Sequence, residues 1–273
     1  MLCGGVRAAA VYSRTNILSF PRRSSSPLNA SYFRSTVRLS YTTQSQPSIK
    51  MSSTNPTEFI EHIVLLKVKP DVDPSKPIAM VNNLSSLSSL DSVLHITAGP
   101  LLRSRSSSLT FTHMLHSRYA SKSDLDTYTA HPDHEAVAAK YVRPIVEDVM
   151  AVDWVSSGAG PVSVPPGSTM RVTFLKLKED LGENGKNEVL GVIGGIKEKF
   201  LAIEQLSFGE NFSPARAKGF SIASIAVFKG VNELEALDTE SEAANEQKDL
   251  VRDKLDGVVV LDYVVPSPQT ASL

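Results

Sequence analysis

From Glu61 to Val68 the chain runs Glu-His-Ile-Val-Leu-Leu-Lys-Val, apolar and β-branched on both pleat faces, which predicts a buried strand. Residues Pro74 to Ser89 predict a helix. Val93–Leu102 and Leu109–Tyr119 predict two more strands around a polar turn, Arg103–Ser108, and therefore a hairpin. From Asp133 onward Val137, Ala138, Tyr141, Val142, Ile145 and Val149 recur at spacings of three and four, the stripe of a helix that buries one face. Pro132 suits its first turn, where a missing N–H costs nothing, and Asp133 and Glu135 complement its positive end. Val149–Val155 closes the unit as a strand. The predicted order is β-α-β-β-α-β, with a short extra helical turn near Asp124.

Residues 156–168 hold Gly158, Gly160, Pro161 and Pro165, which break regular structure and predict a linker. The pattern then returns. Arg171–Lys178 (RVTFLKLK) echoes His62–Lys69 (HIVLLKVK) at an offset of 109, and the same offset carries Phe111 onto Phe220, Leu125 onto Leu234, Asp153 onto Asp262 and Trp154 onto Tyr263. A constant offset across strand, hairpin and helix marks an internal repeat. The expected domains are residues 58–155 and 169–265. Each unit carries a sheet with one apolar face, so the two can bury those faces on each other as a closed or nearly closed barrel. The fold class is α+β, with tandem ferredoxin-like units forming a pseudo-dimeric barrel.

Composition changes the picture at the ends. Residues 1–50 contain seven basic residues, ten serines and no Asp or Glu, the composition of an organellar transit segment. Residues 51–57 form a polar linker whose Met51 also offers an alternative start. Without the first fifty residues, 21 basic and 29 acidic residues remain, a charge of −8 that argues against nucleic-acid binding. No run of about eighteen apolar residues occurs, so no membrane-spanning helix is expected. The single cysteine, Cys3, lies in the transit-like segment, which excludes disulfide or thiolate chemistry from the folded part.

The opening strand His62–Lys69, the strand Phe111-Thr112-His113, the segment Tyr128-Thr-Ala-His-Pro-Asp-His134 and Val152-Asp153-Trp154 together resemble the stress-response A/B barrel family of plants. The resemblance covers residues 58–155 closely and 169–265 through the repeat. It is similar to the two-domain, peroxisome-associated type. It implies a barrel of stress response that is non-catalytic or binds a small molecule. The alternative it implies is a polyketide cyclase-like lyase, because one family relative closes a linear polyketide by an intramolecular aldol condensation. On that alternative Tyr128 and His134 fall on the acid/base pair, and His62, His113 and His131 fall on pocket histidines. A neutral histidine can take a carbon-bound proton while a tyrosine hydroxyl holds the developing enolate. The plain structural reading is that His134 continues the stripe of Val137 and Tyr141, and that His62 and His113 sit among core positions of their strands. The second repeat has Arg171 for His62, Ile222 for His113, Leu237 for Tyr128 and Ala243 for His134, which confines the expected site to the first repeat.

The resemblance further implies Mg2+ at the end of the first helix, on main-chain carbonyls of Leu87, Leu90, Asp91 and Val93; helix-terminal carbonyls lack partners and carry the negative end of the dipole. No nucleotide or organic cofactor is expected, since Gly191, Gly194 and Gly195 lie within a helical pattern and follow no strand–turn that could cradle phosphate. The family's tendency to dimerise puts a homodimer among the expected assemblies, and a small apolar or polyketide-like molecule among the ligands. The tail, residues 266–273, ends in Ala271-Ser272-Leu273, which has the small-x-Leu shape of a peroxisomal address. Peroxisome is the expected location, with chloroplast or mitochondrion, through the N-terminal segment, the alternative.

Overall fold

The computed structural model describes residues 58–106, 109–156, 160–239 and 241–267. The expected transit segment, the 51–57 linker and the terminal tripeptide lie outside these residues.

The first repeat runs β1 (Ile60–Val68), α1 (Ser75–Ser86), β2 (His95–Pro100), β3 (Arg103–Ser104), β4 (His113–Tyr119), α2 (Lys122–Ala130), α3 (Pro132–Val137) and β5 (Val146–Val155). The second runs β6 (Thr169–Leu177), α4 (Gly182–Gly194), α5 (Ile196–Lys199), β7 (Gln205–Glu210), β8 (Ile222–Phe228), α6 (Val231–Thr239), α7 (Ser241–Arg252) and β9 (Leu255–Val264). One sheet has the order β2-β4-β1-β5 and the other β3-β9-β6-β8-β7, so without β3 the two orders correspond under the repeat. Pairing is antiparallel throughout, with His62 opposite Ser117 and Asp153, and Arg171 opposite Ala226 and Asp262.

Strand alternation sorts side chains into two layers. Ile63, Leu65, Met114, Met150, Val152 and Trp154 meet Met170, Val172, Phe174, Ile225, Leu261 and Tyr263 in one core between the sheets. The opposite face of the first sheet (Ile60, Leu66, Leu115, Tyr119) packs on Met80, Leu84, Leu125 and Tyr128 of its helices. The barrel is sealed at two matching seams, with the offset one residue longer for β2 and β7. The N–H of Leu102 donates to the Asp262 carbonyl and that of Phe212 to the Asp153 carbonyl, both at 2.9 Å. Beside them the Tyr263 hydroxyl bonds Thr97 at 2.8 Å and the Trp154 indole donates to Ser207 at 3.1 Å. Gly99 and Gly209 let those aromatics approach: a Cβ on Gly209 would stand 2.7 Å from the Val155 carbonyl oxygen.

Several local expectations need correction. The helix expected over Asp133–Val149 ends as α3 at Val137 and continues as a π-turn, Ala138–Val142. Pro144 cannot extend a helix, and Val149 pairs with Leu66 inside β5. The short turn near Asp124 is the nine-residue α2, capped by Ser121, whose side chain accepts from the Asp124 N–H. The two hairpin strands are shorter than expected, and Arg103–Ser104 of the supposed turn joins the second sheet through β9. Of Gly191, Gly194 and Gly195, only Gly194 stands close to another element, where an added Cβ would lie 3.0 Å from Phe208.

Candidate functional site

His62 sits mid-strand on β1 with its side chain on the helix side, where β4 and β5 present Ser117, Tyr119 and Asp153. Its Nδ1–H donates to the Asp153 carboxylate in a buried pair. Burial by itself would raise Asp153, but its hydrogen bond and electrostatic attraction to His62, with smaller help from Ser213 and Arg216, outweigh it and hold the carboxyl below its usual range. α2 and α3 then bring Tyr128 and His134 over the sheet. Their rings lie 4.6 Å apart, Tyr128 is 5.2 Å from Tyr119 and 6.4 Å from His62, and His62 is 6.2 Å from Tyr119. His134 donates Nδ1–H to the Thr129 carbonyl at 3.0 Å, and burial lowers its pKa, so it is neutral near pH 7 with Nε2 free to accept a proton. Burial pushes the Tyr128 and Tyr119 hydroxyls up, which keeps both protonated.

Three residues expected here, His62, Tyr128 and His134, thus come together, and two do not. His113 lies four residues from Ser117 along β4, roughly 13 Å away at the usual strand rise, and bonds Thr112 at 2.9 Å. His131 is spent on the N-cap of α3, accepting from the Asp133 N–H at 3.2 Å. Asp153 and Tyr119 were missed as site members. The usable signal was register, since both face the helices beside His62.

The second repeat keeps the carboxylate and exchanges its partner. Arg171 stands where His62 does and bonds Asp262 at 2.8 Å and Asp238 at 2.7 Å. Arg103 and Arg105 reach in from the first repeat, Arg103 to Asp262 at 2.5 Å and Arg105 to Asp238. Burial would raise both acids, and the arginines more than reverse this.

On the helix side of this sheet lies a cavity of about 720 Å³, walled by β6, β8 and β9 below and by α4 to α7 above, with Arg171, Asp238 and Arg105 at one end. The second repeat, where no site residue is expected, thus holds a cavity of ligand size. Three positions explain the space: Leu115, Tyr128 and His134 of the first repeat correspond to Ser224, Leu237 and Ala243. Each exchange removes bulk, and Ser224 and Leu237 line the void. In the first repeat the same layer holds Leu115, Tyr119 and Tyr128, none more than 3% exposed.

A third polar group is buried between the sheets. Glu61 accepts from His116 at 2.6 Å and from Arg118 at 3.0 Å, and Arg118 also donates to the linker carbonyls of Pro161 and Val162. Burial opposes ionisation of Glu61, yet Arg118 and His116 hold it at about 2. Burial lowers His116, which stays neutral.

Residues 60–156 and 170–265 each match the Stress responsive A/B Barrel Domain. The chain belongs to that family. It is 54% identical over 82% of its length to one stress-response A/B barrel domain-containing protein of Arabidopsis thaliana, spanning 86% of that protein. It is 44% identical over 77% of its length to a second protein of the same description from that plant, spanning 99% of it. The crystal structure of an anthrone oxidase-like protein shares the fold, with a TM-score of 0.56, 12% identity and coverage of 80% of this chain and 95% of that one.

The family's suggested cation position lies at the end of α1. There the Leu87 carbonyl accepts from the Leu90 N–H at 3.2 Å and the Leu90 carbonyl from the Val93 N–H at 2.9 Å, so each keeps one lone pair. Neutral oxygens in a tight turn fit a hard cation, held weakly. No helix among the described residues is long and apolar enough to cross a membrane, and no group of three or more His, Cys, Asp or Glu there could hold a metal ion.

Proposed function

We propose that this protein is a small-molecule-binding barrel of the stress response and that binding, not turnover, is its main activity. The observation that carries this reading is the 720 Å³ cavity in the sheet–helix layer of the second repeat, a volume within the range of about 300–1,000 Å³ usual for small-molecule sites. The test is titration with a neutral, solvatochromic apolar dye. One dye should bind per chain, and Ala226→Phe, which fills the floor of the cavity, should abolish binding while the melting transition is retained. A dye that ignores the filled cavity overturns the reading.

A second reading, acid–base chemistry of the cyclase-like kind, is supported by the His134–Tyr128 contact and by the His62–Asp153 pair. On that reading Tyr128 would donate to a substrate carbonyl oxygen while the free Nε2 of His134 takes a carbon-bound proton. It requires depletion of a linear poly-β-ketone substrate that His134→Ala eliminates, and the absence of turnover favours the binding reading. For location, the Ala271-Ser272-Leu273 end supports the peroxisome. A fluorescent protein fused ahead of residues 51–273 should enter peroxisomes, and removing the tripeptide should leave it in the cytosol.

A further inference from the structure

The geometry points to an elongated apolar ligand with one anionic head, a carboxylate or sulfonate, bound in the second-repeat cavity with its head at Arg105; this rests on the binding reading above. The body of the cavity is hydrocarbon, with Leu175, Val192, Ile193, Phe200, Leu237 and Val251 among its walls. Its lining carries four cations, Arg105, Arg171, Lys248 and Arg252, against Asp238 and Asp256, while Asp262 behind Arg171 and Asp249 beside Arg252 neutralise part of that charge. Arg105, which shares Asp238 with Arg171, and Lys248, which bonds only Asn245 among the described residues, leave a local excess of positive charge in a chain whose residues 51–273 carry a charge of −8. A low-dielectric wall around such an excess selects against cations and favours anions.

The donors are not equally available. Arg171 is fixed by Asp262 and Asp238 through Nε, Nη1 and Nη2, which leaves little for a ligand. Arg105 touches the acids only through Nε, at 3.5 Å, and Nη2, so Nη1 has no partner among the described residues. A guanidinium carries five N–H donors in a planar fork suited to a carboxylate. Its side chain is 40% exposed, which places it at the mouth, and Lys248 of α7 also lines the cavity. An anionic head at Arg105 would leave the chain free to extend inward past Leu237 toward Val192.

Arg105 belongs to the first repeat. It crosses the seam on the segment after β3, which pairs with β9, so the second-repeat site is complete only when both repeats are present. The second-repeat site thus takes a cation from the other repeat, a reason for fusing the two in one chain.

The experiment uses the full chain and three ligands of one length: dodecanoate, dodecanol and dodecyltrimethylammonium. Dodecanoate should bind on the order of tenfold or more tightly than the alcohol, as expected for one charge-assisted contact, and the cation should bind most weakly. Added salt should narrow the gap. In Arg105→Gln, confirmed folded by its melting transition, and in Lys248→Ser as a second variant, the preference for carboxylate should shrink while dodecanol affinity stays the same. Equal binding of acid and alcohol, or an undiminished preference in both variants, overturns this inference and leaves the binding reading standing. If none of the three binds, both fail.

Discussion

Replacing Gly209 by alanine probes the seam where the two sheets meet. The new methyl carbon would stand 2.7 Å from the Val155 carbonyl oxygen and 2.9 Å from Cδ1 of Trp154, inside the distance real Cβ atoms keep. Neither neighbour yields easily, because the oxygen is main chain and the indole is fixed by Ser207 and fully buried. Overpacking of this kind costs about 1–3 kcal/mol. A domain of this size loses roughly 2–4 °C of melting temperature per kcal/mol, so a fall of several degrees is expected. Gly99, the same position in the first repeat, is the internal control. Its methyl would meet only side chains, Pro266 at 3.2 Å and Tyr263 at 3.4 Å, so Gly99→Ala should cost less than Gly209→Ala. Thermal and urea unfolding of both variants gives the comparison. Equal stability of Gly209→Ala and wild type, or a larger loss from Gly99→Ala, would refute the seam geometry.

The buried acids supply the next predictions. Asp262→Ala leaves Arg171, Arg103 and Arg105, which cannot neutralise, to share Asp238 alone, and should cost on the order of 3 kcal/mol in urea unfolding. Asp153→Ala leaves only His62, which can stay neutral, and should cost about 1–3 kcal/mol; the reverse ranking contradicts the account. Stability should also fall in acid. Glu61 is held at about 2 against 4.5 unperturbed, so its contribution, on the order of 3 kcal/mol, is complete above about 4.5 and is lost as pH falls through 2. His116, kept neutral by burial, adds a loss that begins below about 6.5, and a flat pH profile from 7 to 4 would exclude this. Magnesium at the end of α1 should raise the melting temperature by a few degrees at saturation, and a choline salt of equal ionic strength should not.

Much of the fold was legible because the repeat was. The offset of 109 marked two equivalent sheets, and the apolar residues on both faces of His62–Lys69 marked a strand buried between the shared core and the helices. Boundaries were lost where a single residue overrides a pattern: Ile145 and Val149 continue a helical stripe that Pro144 ends. Of the site, His62, Tyr128 and His134 were readable, whereas Asp153 and Tyr119 needed strand register. The second-repeat cavity was not legible. Leucine for Tyr128 and alanine for His134 look like decay one at a time, and only the packed sheet–helix layer shows that the lost volumes adjoin. Arg105 was hidden for a similar reason, since a polar turn gives no sign that it crosses to another sheet.

The central claim is that the second repeat holds a half-open, ligand-sized and mostly apolar pocket where the first is filled. Crystals of the full chain under xenon pressure test it directly, because xenon enters apolar cavities. The account predicts xenon density between β6, β8 and α4, beside Leu237 and Val192, that disappears in Ala226→Phe. A collapsed layer there, with no xenon and with side chains closed onto Ser224 and Ala226, would contradict it.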